Sequence, residues 1–212
     1  MTEEMNIHKG LCEVKTLTDR IEKEIEEAGF ITAIKASDGK VKGVKANDWK
    51  KNEKALLDSI RTLINRKKAI KRAINQSNAQ TKITVGGVEY TVAEAIYMKN
   101  EGIAEEQELV QKLKDNYKAA VDLMTRKNEE ADRRAEEFAK SASGNKDKDQ
   151  SNSAEIEKVR KSFYDSQVYE IVDAVNTLET IKQLEAEIDA FISEIDSALS
   201  VSNATTLIQI EY

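Results

Sequence analysis

Apolar residues in this chain recur at alternating intervals of three and four along several long stretches that contain no proline. This heptad spacing places the apolar side chains on one face of a helix, where they can pack lengthwise against a second helix. A proline inside such a helix would cost about 3 kcal/mol, so its absence from all 212 residues favours long helices. We therefore expect a mainly α fold, an elongated antiparallel helical bundle or coiled coil with one or two small β-hairpins. In the N-terminal helix the predicted seam contains Ile7, Leu11, Val14, Thr18, Ile21 and Ile25.

Glycine turns between β-prone runs divide the helical stretches. Asp38 with Gly39, and Gly86 with Gly87, predict tight hairpin turns, because such turns need residues with a positive φ. We expect a single elongated helical domain over residues 1–212. Its predicted parts are an N-terminal helix (1–29), a hairpin (30–46), a helix (47–78), a hairpin (81–91), a long helix (92–140), a flexible loop (141–153) and a C-terminal helical arm and tail (154–212).

Several local signals add detail to this division. Thr91 and Glu94 have the spacing of a capping box, in which each side chain bonds the backbone amide of the other residue. Gly102 predicts a bend or break near Asn100, because glycine costs a helix about 1 kcal/mol relative to alanine. Asp173 can cap the last long helix. The alternation of residues 205–210 is compatible with a terminal strand.

Composition excludes several classes of protein. One Cys and one His are too few for a thiolate or imidazole zinc site, which needs about three or four ligands, and a single Cys allows no internal disulfide. We expect no metal site and no cofactor. No apolar run approaches the roughly 20 residues that span a bilayer, and the acidic start is unlike a signal peptide, so we expect no membrane association. The expected location is the cytoplasm, or the virion if the chain is a phage structural protein.

No arrangement of catalytic residues is recognisable. We interpret His8 as a solvent-facing or packing residue and Cys12 as a small buried hydrophobe, since no oxyanion donors or supporting base can be named. The basic run over residues 66–72 occupies several helix faces and has no aromatic residues to stack bases. With a net charge of −6, nucleic-acid binding is therefore unlikely, and a solvated surface is the preferred interpretation.

Polar and aromatic residues gather where the second long helix meets the second hairpin. Their amides and hydroxyls can bind a small polar ligand, or they can satisfy backbone groups left open at helix ends, which is the preferred interpretation. The tyrosines and Trp49 can line an interface or belong to the core. The candidate ligand-binding or partner-binding residues are Asn75, Asn78, Thr81, Tyr90, Thr91 and Tyr97.

The heptad seams provide only a thin core, so association between chains would help to cover them. We expect a homo-oligomer, with a host protein as a further possible partner. The residues expected to form the oligomer seam are Val110, Leu113, Tyr117, Met124, Ile188 and Ile195.

Three stretches of the chain match a known pattern. They are residues 74–78 with Thr81, Gly87 followed by residues 90–96, and a last helix with Ile188, Ile195 and the run 202–207. Together they resemble the DIP1984 family of uncharacterised bacterial and phage proteins, some of which are labelled septicolysin. The resemblance implies a long helical coiled-coil protein with the same order of elements and supplies no catalytic residues. The septicolysin label implies membrane damage, which the lack of an apolar insertion segment does not support.

These observations lead to three hypotheses. The first is a non-enzymatic structural or interaction protein that self-associates through coiled-coil seams, with the resemblance alone suggesting a phage-encoded origin. The alternative is a phage-type inhibitor or sponge that binds a host protein or a small signalling ligand at the hairpin end of the bundle. The weakest is nucleic-acid binding through residues 66–72.

Overall fold

The computed structural model describes residues 2–35, 37–143 and 151–211, and the described chain is mainly helical with small antiparallel strand pairs. It divides into two compact units, where the sequence predicted a single domain. The first unit comprises Met1–Glu101 and Ala190–Tyr212, and the second comprises Gly102–Asp189. In chain order the elements are β1 (Thr2–Asn6), α1 (Ile7–Glu27), β2 (Lys40–Val41), β3 (Val44–Lys45), α2 (Ala46–Asn78), β4 (Lys82–Val85), β5 (Val88–Thr91), α3 (Val92–Tyr97), a π-helical turn (Met98–Gly102), α4 (Ile103–Ser143), α5 (Ser151–Gln167), α6 (Thr177–Thr205) and β6 (Leu207–Glu211).

The core of the first unit forms where the two ends of the chain meet. Strand β1 pairs antiparallel with β6, with Met5 opposite Ile208, and both strands pack with α1 and α2. The terminal strand suggested by residues 205–210 is therefore confirmed, but the predicted helix over 1–29 is wrong before Ile7, because residues 2–6 pair with β6. The buried members of this core are Met5, Ile7, Leu17, Ile21, Ile70, Ile74, Ile208 and Ile210.

Helix α1 buries a face that differs in part from the predicted seam. Leu11 and Ile25 are 44% and 51% exposed, whereas Gly10 and Leu17 are buried. A Cβ on Gly10 would lie 3.3 Å from the Ile208 side chain, so glycine allows β6 to approach the helix closely. Rotation of α1 toward Gly10 also leaves Cys12 exposed, and the prediction that Cys12 is buried is wrong.

The first hairpin lies later in the chain than predicted. Its turn is at Lys42 and Gly43, both with positive φ, instead of at Asp38 and Gly39. Residues 30–35, predicted as its first strand, have no regular secondary structure, because no neighbouring strand pairs with them. The second hairpin, β4 with β5, turns at Gly86 and Gly87 as predicted.

The second unit is built mainly on α4 and α5. Phe138 of α4 stacks on Phe163 of α5 with ring centroids 4.7 Å apart, and Asn128 exchanges two hydrogen bonds with the backbone of Tyr169. Both ends of the predicted 141–153 loop are helical, since α4 runs to Ser143 and α5 starts at Ser151; residues 144–150 lie outside the described chain. The break predicted near Asn100 is the π-helical turn that ends at Gly102.

The predicted oligomer seam is partly buried within one chain. Val110 and Ile188 are 6% and 5% exposed in the second unit, beside an ion pair between Lys114 and Glu185 at 2.6 Å. Ile195 is 3% exposed in the first unit. These three residues already pack inside the chain, so they cannot also form a seam between chains without repacking, and their assignment is corrected. The other three, Leu113, Tyr117 and Met124, remain half-buried.

Candidate functional site

The predicted polar junction forms in the first unit, where α2 ends and the second hairpin begins. The backbone N–H of Thr81 donates to the carbonyl of Ser77 at 2.8 Å, which closes the end of α2. The carbonyl of Thr81 then accepts a 2.9 Å bond from the N–H of Val92, which ties the first residue of α3 to the start of the hairpin. These bonds fix the hairpin at the end of the long helix.

The predicted capping box is confirmed. The hydroxyl of Thr91 accepts from the Glu94 N–H at 3.2 Å, and the Glu94 carboxylate accepts from the Thr91 N–H at 2.7 Å. Hydrogen bonds from the backbone and hydroxyl of Thr91 lower the pKa of Glu94. The Thr91 side chain therefore caps the start of α3, as expected if the polar residues of this junction satisfy backbone groups at helix ends.

The other predicted site residues differ in their surroundings. Asn75 and Tyr97 are exposed, and the carbonyl of Asn75 accepts from the Ala79 N–H at 3.1 Å. Thr81 is half-buried, with its hydroxyl 3.3 Å from that of Ser77. The amide oxygen of Asn78 is buried and has no hydrogen-bond partner among the described residues. Helix-end bonding therefore does not account for the buried amide oxygen of Asn78.

The hairpin packs against α6 through its turn and through Tyr90. The Tyr90 ring meets Phe191 edge to face, with centroids 5.7 Å apart. The N–H of Gly86 donates to the Glu194 carboxylate at 2.8 Å. Gly86 has a φ of 58°, and a Cβ there would lie 3.3 Å from the Cβ of Ala190, so only glycine fits this contact without strain.

Charged side chains around the hairpin are paired with one another. The Lys82 ammonium lies 2.6 Å from the Glu89 carboxylate, and this hydrogen bond and charge raise the pKa of Lys82. Lys99 of the π-helical turn pairs with Asp196 of α6. Because the Lys82 charge is already matched, it does not make the neighbouring surface strongly cationic.

A groove of about 380 Å³ separates β4 from the last turns of α6. Ser202 is 5% exposed, and its hydroxyl has no hydrogen-bond partner in the described part of the chain. A buried polar group without a partner costs about 1–3 kcal/mol, so this hydroxyl favours an additional polar contact. The groove is lined by Thr81, Lys82, Ile83, Thr84, Ser197, Ala198, Val201, Ser202, Thr205 and Thr206.

Sequence reasoning missed the α6 side of this groove. Ser197, Ala198, Val201, Ser202 and Thr205 recur at the spacing of one helix face, and all have small or short side chains. The heptad pattern is defined by large apolar residues and so does not mark this face. Small residues that recur at the same spacing are the signal that marks it.

A larger groove, of about 530 Å³, lies between α2 and β6 in the same unit. Arg72, Gln76 and Gln209, which line this groove, are exposed to solvent. Since these groups keep their water contacts, they gain less from a new partner than the buried hydroxyl of Ser202 does.

The basic run contains a structural ion pair. The guanidinium of Arg66 bonds both carboxylate oxygens of Glu13 and donates to Glu3 at 2.9 Å. This residue thus joins α1, α2 and β1 and does not point freely into solvent. Among the described residues no group of three or more His, Cys, Asp or Glu side chains is placed to hold a metal ion. No helix in the described ranges is long and apolar enough to cross a membrane.

Comparisons with known proteins give no relative. Searches of family models, of curated proteins and of solved structures each found no match to this chain.

Proposed function

We propose that this chain is a non-enzymatic interaction protein that self-associates. The observation that supports this function is a group of exposed apolar side chains where α1 ends and α2 begins, which we call the apolar end cluster. Its members are Ile25 (51% exposed), Phe30 (46%), Ile31 (92%), Ile34 (43%), Val44 (40%) and Leu57 (41%).

The apolar end cluster lies at one end of the α1–α2 pair. The Ser59 hydroxyl donates to Glu24 at 3.3 Å and the Gly29 N–H donates to Glu53 at 3.2 Å, so the two helices are joined there. Burying one large aliphatic side chain is worth about 1.5–3 kcal/mol relative to leaving it in water. Several large apolar side chains exposed at one end of a helix pair are typical of protein–protein contacts.

Light scattering over a range of concentrations tests the proposal with Ile31→Asp. We expect wild type to gain mass as concentration rises and the variant to remain monomeric. Val172→Asp is the matched control, since Val172 is 96% exposed in the second unit and outside the cluster. A wild-type chain that stays monomeric at high concentration would contradict self-association.

An alternative function is capture of a small ligand or a host protein at the hairpin end, as expected of an inhibitor or sponge. The buried hydroxyl of Ser202 in the β4–α6 groove, which has no hydrogen-bond partner in the described ranges, favours this alternative. A thermal-shift screen with nucleosides, nucleotides and sugars tests the small-ligand case, because a ligand that binds only the folded chain raises its melting temperature. A phage or bacterial setting, cytoplasmic or virion-associated, remains part of the proposal through the DIP1984 resemblance.

A further inference from the structure

We propose that residues 30–35 of one copy add as a β-strand to the free edge of β4 in a second copy, inside the β4–α6 groove. This inference rests on the proposed self-association and assigns it a contact. It joins two features of the described part of the first unit: a strand edge without a neighbouring strand, and an exposed segment of strand-forming composition that pairs with no strand.

The free edge follows from the register of the hairpin. Gly86 and Gly87, with φ of 58° and 77°, form a two-residue turn, so the flanking pair Val85 and Val88 exchange backbone hydrogen bonds. Bonded and non-bonded pairs alternate along an antiparallel ladder. The bond from the Val92 N–H to the Thr81 carbonyl fits the same alternation, because Thr81 and Val92 lie four pairs beyond Val85 and Val88 and are again a bonded pair.

The backbone groups of Lys82 and Thr84 therefore point away from β5. Both residues line the β4–α6 groove, and within the described chain their N–H and C=O groups make no backbone hydrogen bond to another element. An extended peptide can bond to such an edge, since main-chain hydrogen bonds provide affinity in strand addition.

The opposite wall of the groove suits apolar side chains of an added strand. Ala198 and Val201 present short apolar groups, and the Ser202 hydroxyl supplies a buried polar group that has no hydrogen-bond partner among the described residues. Side chains from one face of an added strand would enter the space that these small residues leave.

Residues 30–35, Phe-Ile-Thr-Ala-Ile-Lys, have the composition of a strand. All six are exposed, and Ile31 is 92% exposed. In an extended conformation Phe30, Thr32 and Ile34 lie on one face and Ile31 and Ala33 on the other. The segment thus carries apolar side chains on both faces but no strand pairing of its own.

The segment cannot reach the groove of its own chain. The Gly29 N–H is bonded to Glu53 near the start of α2, and β4 follows the end of that helix. From Glu53 to Asn78 the helix rises about 37 Å at about 1.5 Å per residue. Six extended residues span at most about 20 Å. A second copy must therefore supply the strand.

Two variants test the edge of β4 and the segment 30–35 separately. Thr84→Pro removes an outward N–H without removing a hydrogen bond between β4 and β5, and Ile31→Asp places a charge in the segment. Thr84→Ala is the control for loss of the Thr84 side chain. We expect light scattering to show loss of the dimer for Thr84→Pro and Ile31→Asp and its retention for Thr84→Ala, with circular dichroism confirming that all three fold.

Mixing the two defective chains tests reciprocity. The Ile31→Asp chain keeps an intact groove and the Thr84→Pro chain keeps an intact segment, so their mixture retains one of the two contacts. With each chain carrying a different fluorophore, we expect energy transfer in the mixture and none in either variant alone.

A peptide with the sequence of residues 30–35 provides a test that does not depend on the variants. We expect this peptide to dissociate the full-length dimer, and a version with N-methylated backbone amides to be at least tenfold weaker. A wild-type dimer that survives both the peptide and Thr84→Pro would overturn this contact but leave self-association standing. A wild-type chain that is monomeric throughout would overturn both, and a groove that binds a small molecule in preference to the peptide would favour the alternative function.

Discussion

The N–H of Gly86 donates to the carboxylate of Glu194 at 2.8 Å, and this hydrogen bond joins the second hairpin to the last helix. The two residues are distant in sequence, but Gly86 approaches α6 so closely that a Cβ would lie 3.3 Å from the backbone nitrogen of Phe191. This contact and the packing of Tyr90 on Phe191 together position the hairpin on α6 and so form the β4–α6 groove.

We predict that Gly86→Ala destabilises the chain by about 1–2 kcal/mol from its positive φ alone, with a further loss from the contact with α6. Gly87→Ala is the matched control, since Gly87 also has a positive φ, of 77°, but nothing lies within 4 Å of its Cβ position. Urea unfolding measures both. Equal losses for the two variants would contradict the close approach.

We predict that the buried face of α1 is revealed by Gly10→Leu and Leu11→Ala. Gly10→Leu should cost about 1–3 kcal/mol, because its side chain would press into Ile70, Ile74 and Ile208. Leu11→Ala should cost far less than the 2–5 kcal/mol of a fully buried leucine, since Leu11 is 44% exposed. Thermal unfolding distinguishes them, and the reverse ranking would favour the original heptad seam.

We predict that Arg66→Gln lowers the free energy of unfolding by about 1–3 kcal/mol, because it leaves the half-buried carboxylates of Glu3 and Glu13 without their cation. Lys68→Gln is the control, since Lys68 is exposed in the same basic run. If Arg66 instead served nucleic acid, its loss would leave unfolding unchanged and weaken DNA or RNA binding at low salt.

We predict an acid-sensitive contribution from Glu94. Hydrogen bonds from Thr91 lower its folded pKa below the usual value of 4.5. The stabilisation is therefore present above pH 4.5 and is lost as the pH falls through the lower, folded pKa. Urea unfolding between pH 7 and pH 2 should show a smaller acid loss for Glu94→Gln than for wild type.

The contribution of Lys82 to stability depends on pH in the opposite direction. Glu89 raises the folded pKa of Lys82 above 10.5, so that stabilisation is complete below pH 10.5 and is lost only at higher pH. Lys82→Gln should therefore remove a loss of stability that wild type shows above pH 10.5, which urea unfolding at alkaline pH measures. A Glu94→Gln curve parallel to wild type across the acid range would contradict the capping-box contribution.

Elements defined by neighbouring residues could be predicted from the sequence. Helix α2, the β4–β5 hairpin and the capping box at Thr91 all follow from patterns within a few positions: helical spacing, two adjacent glycines and a Thr-x-x-Glu run. Thr81, Tyr90 and Thr91 were therefore placed correctly at the hairpin junction.

The groove could not be predicted in the same way. It depends on the distance between β4 and α6, and the Ser202 hydroxyl is buried by parts of the chain that are remote in sequence. Residues 30–35 were predicted to form a strand and do not. A strand-forming composition yields a strand only where the edge of another strand pairs with it.

The sequence by itself determined the helical periods, the glycine turn of the second hairpin and the helix cap that follows it, because these depend on interactions between residues close together in the chain. Only the tertiary structure decided which face of α1 is buried, that residues 2–6 pair with β6, and that α6 forms one wall of a groove. The physical reason is that a periodic pattern defines an apolar stripe but not its partner. Gly10 is buried because Ile208 and Ile70 pack against it, and neither is its neighbour in sequence.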